Sequence, residues 1–305
     1  MLFTMTRGLP LNATRLLTRS GGWARAELFN ECPSRYKRVN HRTDSVLSDD
    51  LKMVLVDNVK AGSQSARGRF KDVAGVHWQH WDARFRERRK TCAGCCDRTT
   101  SACLSPSVAR EYVVWSIVRD PVAKFESGVR QIWAMGGPDA LLSADELMAK
   151  QLRLPPGAWV DEHAMPSAWR LSGRLAGDVA LPRYAFLASL EELSVDWPAV
   201  IALVVDHAPA AIDEPRRRAL RRALAARLPR KNGHATRNAK TGKSSVLSAA
   251  SVRAMCASPH YGEEWGCFGY ALPEVCRTPA REKGPGARNR TRARQSGKLD
   301  HIHGG

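Results

Sequence analysis

The 305 residues include 48 Lys and Arg against 30 Asp and Glu, a formal charge of +18, with 43% hydrophobic and 7% aromatic residues. That length and apolar content suit one large α/β domain or two smaller ones, and exclude wholesale disorder. No run of about 18 apolar residues offers a membrane-spanning helix. The positive surplus points to a polyanionic partner: nucleic acid, an anionic membrane, a nucleotide or an acidic polysaccharide.

Residues 1–50 show no sustained periodicity and many turn formers, and read as a segment separate from a folded domain at 51–275. The first 26 residues carry Arg7, Arg15, Arg19 and Arg25 and no acid, a composition shared by organelle transit peptides and disordered N-termini. Met53, Val54, Leu55 and Val56 then form a short apolar run that fits a strand buried on both faces of a parallel sheet. Gly62 and Ser63 follow it with a turn and a helix start. A further strand around 73–76 would end at His77 and His80.

The run from Tyr112 to Val118 is a second buried-strand candidate, closed by Arg119, Asp120 and Pro121. Asp120 suits a helix N-cap and Pro121 the first helical position. Val122, Phe125, Val129, Ile132 and Trp133 recur at helical spacing. Strand, turn and helix therefore occur twice in succession, each time with polar or cationic residues at the carboxyl end of the strand. In open α/β sheets that is where ligands bind. Helices are expected at 144–152, 191–205, 215–228 and 248–257, while 184–190 reads equally as strand or loop.

The stretch 214–243 holds eleven Lys and Arg against one acid. It reads either as a solvated helix with a loop or as a surface for an anionic glycan. Residues 276–305 read as a basic disordered tail, with eight cations against two acids from Arg277 onward. Eight cysteines, four of them clustered at Cys92, Cys95, Cys96 and Cys103, point to disulfides and an oxidising compartment. A competing zinc reading would use His77, His80, Cys92 and Cys95. Sequons at Asn12 and Asn289 fit a glycoprotein on a secretory route.

Two groups of residues carry chemistry. After the first strand, Lys60, Ala61, Gly62, Ser63, Gln64 and Ser65 form a small-residue loop whose backbone N–H groups can approach an anion, with Lys60 as a mobile cation beside it. It is not a nucleoside-triphosphate loop of the Walker type. The one Gly-Lys-Ser run, at Gly242, has Arg237 where the leading glycine belongs. After the second strand, Arg119 and Ser127 offer a guanidinium fork and a hydroxyl suited to a phosphate monoester.

The Lys60 loop and the Val-Arg-Asp-Pro block at 118–121 with Ser127 together resemble the carbohydrate sulfotransferases. These are the Golgi type, chondroitin- and dermatan-sulfotransferase-like, that use 3′-phosphoadenylyl sulfate. Three further segments follow in that family's order: Asp161, Glu162 and His163 with Pro166; Tyr184 to Asp196; and His260 to Tyr270. Val59 stands where that family usually has Pro, and Val129 where an aromatic is common.

The resemblance implies a P-loop-like α/β fold with a central parallel sheet flanked by helices. It implies in-line transfer of a sulfonate group to a hydroxyl of a carbohydrate acceptor, an acidic glycan among the candidates. Lys60 to Ser65 would hold the 5′-phosphosulfate, Arg119 and Ser127 the 3′-phosphate, and Lys60 would stabilise charge on the leaving group. No metal and no nucleic acid are implied, and the Golgi lumen or membrane is the implied location. The general base is open among His163, His77 and His80, with Glu162 as a further candidate. The competing class is a non-catalytic basic protein that binds nucleic acid or anionic glycan with a steep salt dependence.

Overall fold

A computed structural model describes residues 21–32, 45–48, 51–63, 65–66, 79–81, 112–155, 157–172, 183–208, 212–225 and 244–277. His77, Gln64, the cysteines at 92, 95, 96 and 103, and residues 1–20, 226–243 and 278–305 lie outside the described residues.

Five strands form one sheet: β1 (Ser45–Ser48), β2 (Met53–Val56), β3 (Gln79–Trp81), β4 (Val113–Val118) and β5 (Tyr184–Ser189), in the order β3-β1-β2-β4-β5. β2, β4 and β5 are parallel, while β1 runs antiparallel to both β2 and β3. The chain is therefore mixed α/β, and the expected parallel sheet is the trio β2, β4 and β5, extended beyond β2 by β1 and β3 through antiparallel pairings. Every residue of β2, β4 and β5 is buried.

Alternation along the strands divides the core into two layers. Leu55, Trp115, Ile117 and Phe186 pack on one face against α5 (Leu193–His207) and α6 (Glu214–Ala225), through Val200, Leu203, Val204, Leu220 and Leu224. Val54, Val56, Val114, Val118 and Leu187 pack on the other, against α1 (Gly22–Asn30), α4 (Ser167–Leu171) and α8 (Glu264–Phe268). Between Val114 and Trp115 the register with β5 shifts from Tyr184 to Phe186, so one extra residue bulges there. A third cluster joins α2 (Pro121–Met135) to α3 (Ala144–Arg153) and α7 (Ala249–Ala257) around Phe125, Ile132, Leu147, Met255 and Trp265.

The fold begins earlier than residue 51. α1 lies on β5, with Ala26 and Phe29 in the core, and β1 supplies a sheet strand. Arg25, one of the four arginines of the acid-free N-terminal stretch, is buried in the fold. Its Nε donates to Leu187 O at 3.0 Å, Nη1 to Glu192 at 2.9 Å, and Nη2 to Asp196, which is 0% exposed. Asp196 also accepts the Ser189 N–H at 2.6 Å. α1 is further tied to α8 by Cys32 and Cys267, which sit at disulfide distance, as do Cys256 and Cys276 in α9 (Glu274–Arg277). The fold thus also runs past 275, to the end of α9. No helix among the described residues is long and apolar enough to cross a membrane.

Candidate functional site

The turn after β2 is built from inside. Ser63 Oγ donates to Asp57 Oδ1 and lies 3.0 Å from Asn58 O, so this buried hydroxyl holds the turn and is not offered to a ligand, contrary to the sequence expectation. Asn58 Nδ2 reaches Ile117 O at 3.0 Å and Ser167 Oγ at 3.2 Å, pinning the turn to β4 and α4. Lys60 and Gly62 both have positive φ, 69° and 89°. For Lys60 this backbone costs on the order of 1 kcal/mol or more, the kind of local strain that clusters at functional turns. At Gly62 the positive φ favours glycine, and a Cβ would also push the tip of Leu190, whose Cδ1 it would meet at 2.8 Å. The N–H groups of Gly62 and Ser63, which open the helical turn, make no hydrogen bond to other described residues.

β4 delivers Arg119 beside this turn. Asp120 caps α2, accepting the Ala123 N–H at 2.9 Å, and Pro121 opens the helix as its fixed φ favours. Arg119 Nη1 donates to Lys60 O at 3.2 Å, while its buried Nε has no hydrogen-bond partner among the described residues and lies 3.8 Å from Glu191 Oε1. The Lys60 ammonium reaches Gln131 Oε1 on α2 at 3.3 Å. Ser127 is half-buried one helical turn before Gln131, on the same face. Arg130, next on that helix, donates to Ser245 Oγ at 2.6 Å.

These cations crowd one another. Burial, then the charges of Arg130 and Arg119, hold the Lys60 ammonium below the usual lysine pKa. Burial lowers Arg119 as well; Glu191 opposes that, and Arg130 adds to it. Two cations that follow the carboxyl ends of two adjacent parallel strands, joined by Arg130 from α2 and with orphan N–H groups beside them, can bind a multiply charged anion.

His163 lies against the same helix: a Cβ on Gly128 would come within 2.3 Å of His163 O. The His163 Nδ1 is 2.7 Å from Asp161 Oδ1, whose carboxylate also accepts the His163 N–H at 2.8 Å. Burial pushes the Asp161 pKa up, but these hydrogen bonds and the imidazole charge outweigh it and hold Asp161 below the usual carboxylate value. A carboxylate at Nδ1 favours the tautomer protonated there, leaving Nε2 as the basic nitrogen.

His80 is placed differently from the sequence expectation of a strand near 73–76 that stops before it. It lies within β3, at the outer edge of the sheet. Trp81 and Val56 lie level, both opposite Ser45, so β3 ends on the same side of the sheet as β2 but two strand spacings away, about 10 Å. Of the zinc set only His80 is described, and no metal-holding group of His, Cys, Asp and Glu occurs among the described residues.

Five separated segments close into a ring of contacts. Arg119 touches Lys60 O and pairs with Glu191. The Tyr270 hydroxyl donates to Glu191 Oε2 at 2.9 Å and lies 3.2 Å from Ser189 Oγ. The Tyr261 hydroxyl donates to Ala164 O at 2.7 Å, and Lys124 donates to Met165 O. Arg130, Gln131, Glu191 and Lys124 were not singled out from sequence. Helical spacing marks the first two, since they stand three and four residues after Ser127. No family model, no curated protein and no solved structure matches this chain.

Proposed function

We propose that the chain is a 3′-phosphoadenylyl sulfate-dependent carbohydrate sulfotransferase, with its sheet the core of a P-loop-like sulfotransferase fold. The observation that carries this reading is the ring of contacts. Five segments spread over 51–270, each resembling a sulfotransferase motif, meet around one cation cluster. A protein that merely attracts polyanions needs no such convergence of buried, partnered side chains.

In this reading the N–H groups of Gly62 and Ser63 with Lys60 hold the 5′ end of the donor, and Arg119 with Ser127 the 3′-phosphate. When bound, 3′-phosphoadenylyl sulfate supplies an activated sulfuryl group, which passes to the acceptor oxygen as its bond to the phosphate oxygen breaks. His163, oriented by Asp161, takes the proton of the acceptor hydroxyl at Nε2. Lys60 stabilises the negative charge that grows on the departing phosphate oxygen. The described geometry favours His163 over His80, because its backbone abuts the helix that carries Ser127 and Gln131. The acceptor is a carbohydrate hydroxyl, and a Golgi location follows from the same resemblance.

Titration calorimetry with adenosine 3′,5′-bisphosphate, with radiolabelled sulfonate transfer to a glycan panel, tests the reading. Saturable binding by the wild type, lost in Lys60→Ala and Arg119→Ala, supports it. Absence of binding by the wild type, or salt-steep binding to polyanions with no response to the bisphosphate, overturns it in favour of the binding-protein class.

A further inference from the structure

The segment 163–168 carries the candidate base, yet most of it lies outside regular structure, in turns that lead into the short α4. Pro166 has no N–H to donate, and the carbonyls before it must find partners elsewhere. Side chains supply them. Tyr261 donates to Ala164 O, Lys124 of α2 donates to Met165 O, and Glu264 of α8 accepts the Ala168 N–H. Gly128 leaves room for His163 O against α2.

Lys124 and Glu264 are 2% and 0% exposed. Each grips the 163–168 backbone from its own side. Glu264 Oε2 has no hydrogen-bond partner among the described residues.

We infer that Lys124 and Glu264 are positioning residues, a two-sided clamp of opposite charges that fixes the 163–168 backbone and so sets His163 relative to the anion site. The inference rests on the sulfotransferase reading for its functional consequence, though not for its geometry. Burial alone disfavours both charges. It lowers the Lys124 pKa and raises that of Glu264, each opposed first by the other's charge. Packing alone would be served by apolar side chains of similar volume, without this desolvation. What an apolar pair cannot do is hold one carbonyl and one amide of the same segment at once.

The test uses the full chain, labelled with nitrogen-15 at histidine, as wild type, Lys124→Met and the double variant Lys124→Met/Glu264→Gln. The double variant removes both charges of the clamp together and strands neither, so it keeps the test decisive where the single variant folds poorly. His163 resonances are assigned by their loss in His163→Ala. The clamp predicts shifted His163 ring resonances in the folded double variant, a kcat at least tenfold lower, and bisphosphate affinity within about threefold of wild type. Unchanged His163 resonances in the double variant overturn it, as does turnover that falls only in step with nucleotide affinity. If the wild type neither binds the bisphosphate nor transfers sulfonate, the functional reading fails by itself, and the resonances still decide whether the clamp exists.

Discussion

Replacing Arg119 with alanine removes the guanidinium from the centre of the cation cluster. In the unliganded fold little is lost. One hydrogen bond, to Lys60 O at 3.2 Å, and a 3.8 Å approach to Glu191 disappear, while repulsion with Arg130 and Lys60 is relieved. The melting temperature should therefore stay within a few degrees. In the complex the variant loses charge-assisted hydrogen bonds to a phosphate at a side chain that is only 23% exposed. Such bonds contribute about 2–3 kcal/mol, equivalent to roughly 30- to 160-fold in affinity. Calorimetry with adenosine 3′,5′-bisphosphate measures this directly. Arg119→Lys, which keeps the charge and loses the planar fork, should recover only part of it. An Arg119→Ala affinity within threefold of wild type, in a folded protein, would refute the assignment of the cluster to the nucleotide.

Lys60 titrates below the ordinary lysine range, and a bound anion favours its protonated form, so bisphosphate affinity should fall as pH rises through that lowered value. Lys60→Arg should abolish this alkaline limb in a calorimetric pH series. Arg25→Met leaves the fully buried Asp196 without its ion pair and should cost about 3–5 kcal/mol in denaturant unfolding. Peptide mapping without reductant should recover Cys32 linked to Cys267 and Cys256 to Cys276. Breaking the first link, which spans 235 residues, should lower stability by about 2–5 kcal/mol in thermal melts with and without reductant.

The central strands were legible because burial on two faces leaves unbroken apolar runs, as at 53–56 and 113–118. Helix α2 was legible because Asp120 and Pro121 announce its start. Helix α1 was not. Its inward face is Gly22, Arg25, Ala26 and Phe29, which carries no apolar stripe, and Arg25 is buried only because Asp196, far along the chain, receives it. β1 and β3 are short strands on the outer side of β2, with little local signal. Within the site, Lys60 and Arg119 could be found from their places at strand ends. Ser63 could not be judged, since hydroxyls that hold turns and hydroxyls that hold ligands look alike until Asp57 is seen beside it. The roles of Lys124 and Glu264 depend on contacts to Met165 and Ala168 across 41 and 96 residues of sequence, which no local pattern encodes.

α1 and α8 stand near opposite ends of the described chain, yet Phe29 stacks on Phe268 at 5.2 Å and Cys32 meets Cys267. Closure is therefore among the most non-local events in the folding of this protein, and non-local contacts fold slowly. A nascent chain cannot finish its core until residue 268 has left the ribosome, and the Tyr270 contact to Glu191 forms no sooner. Until then Phe29 and the β5 face it covers stand open to other chains. Newly made protein should thus depend on chaperones, and later on thiol oxidation, more than its modest length suggests.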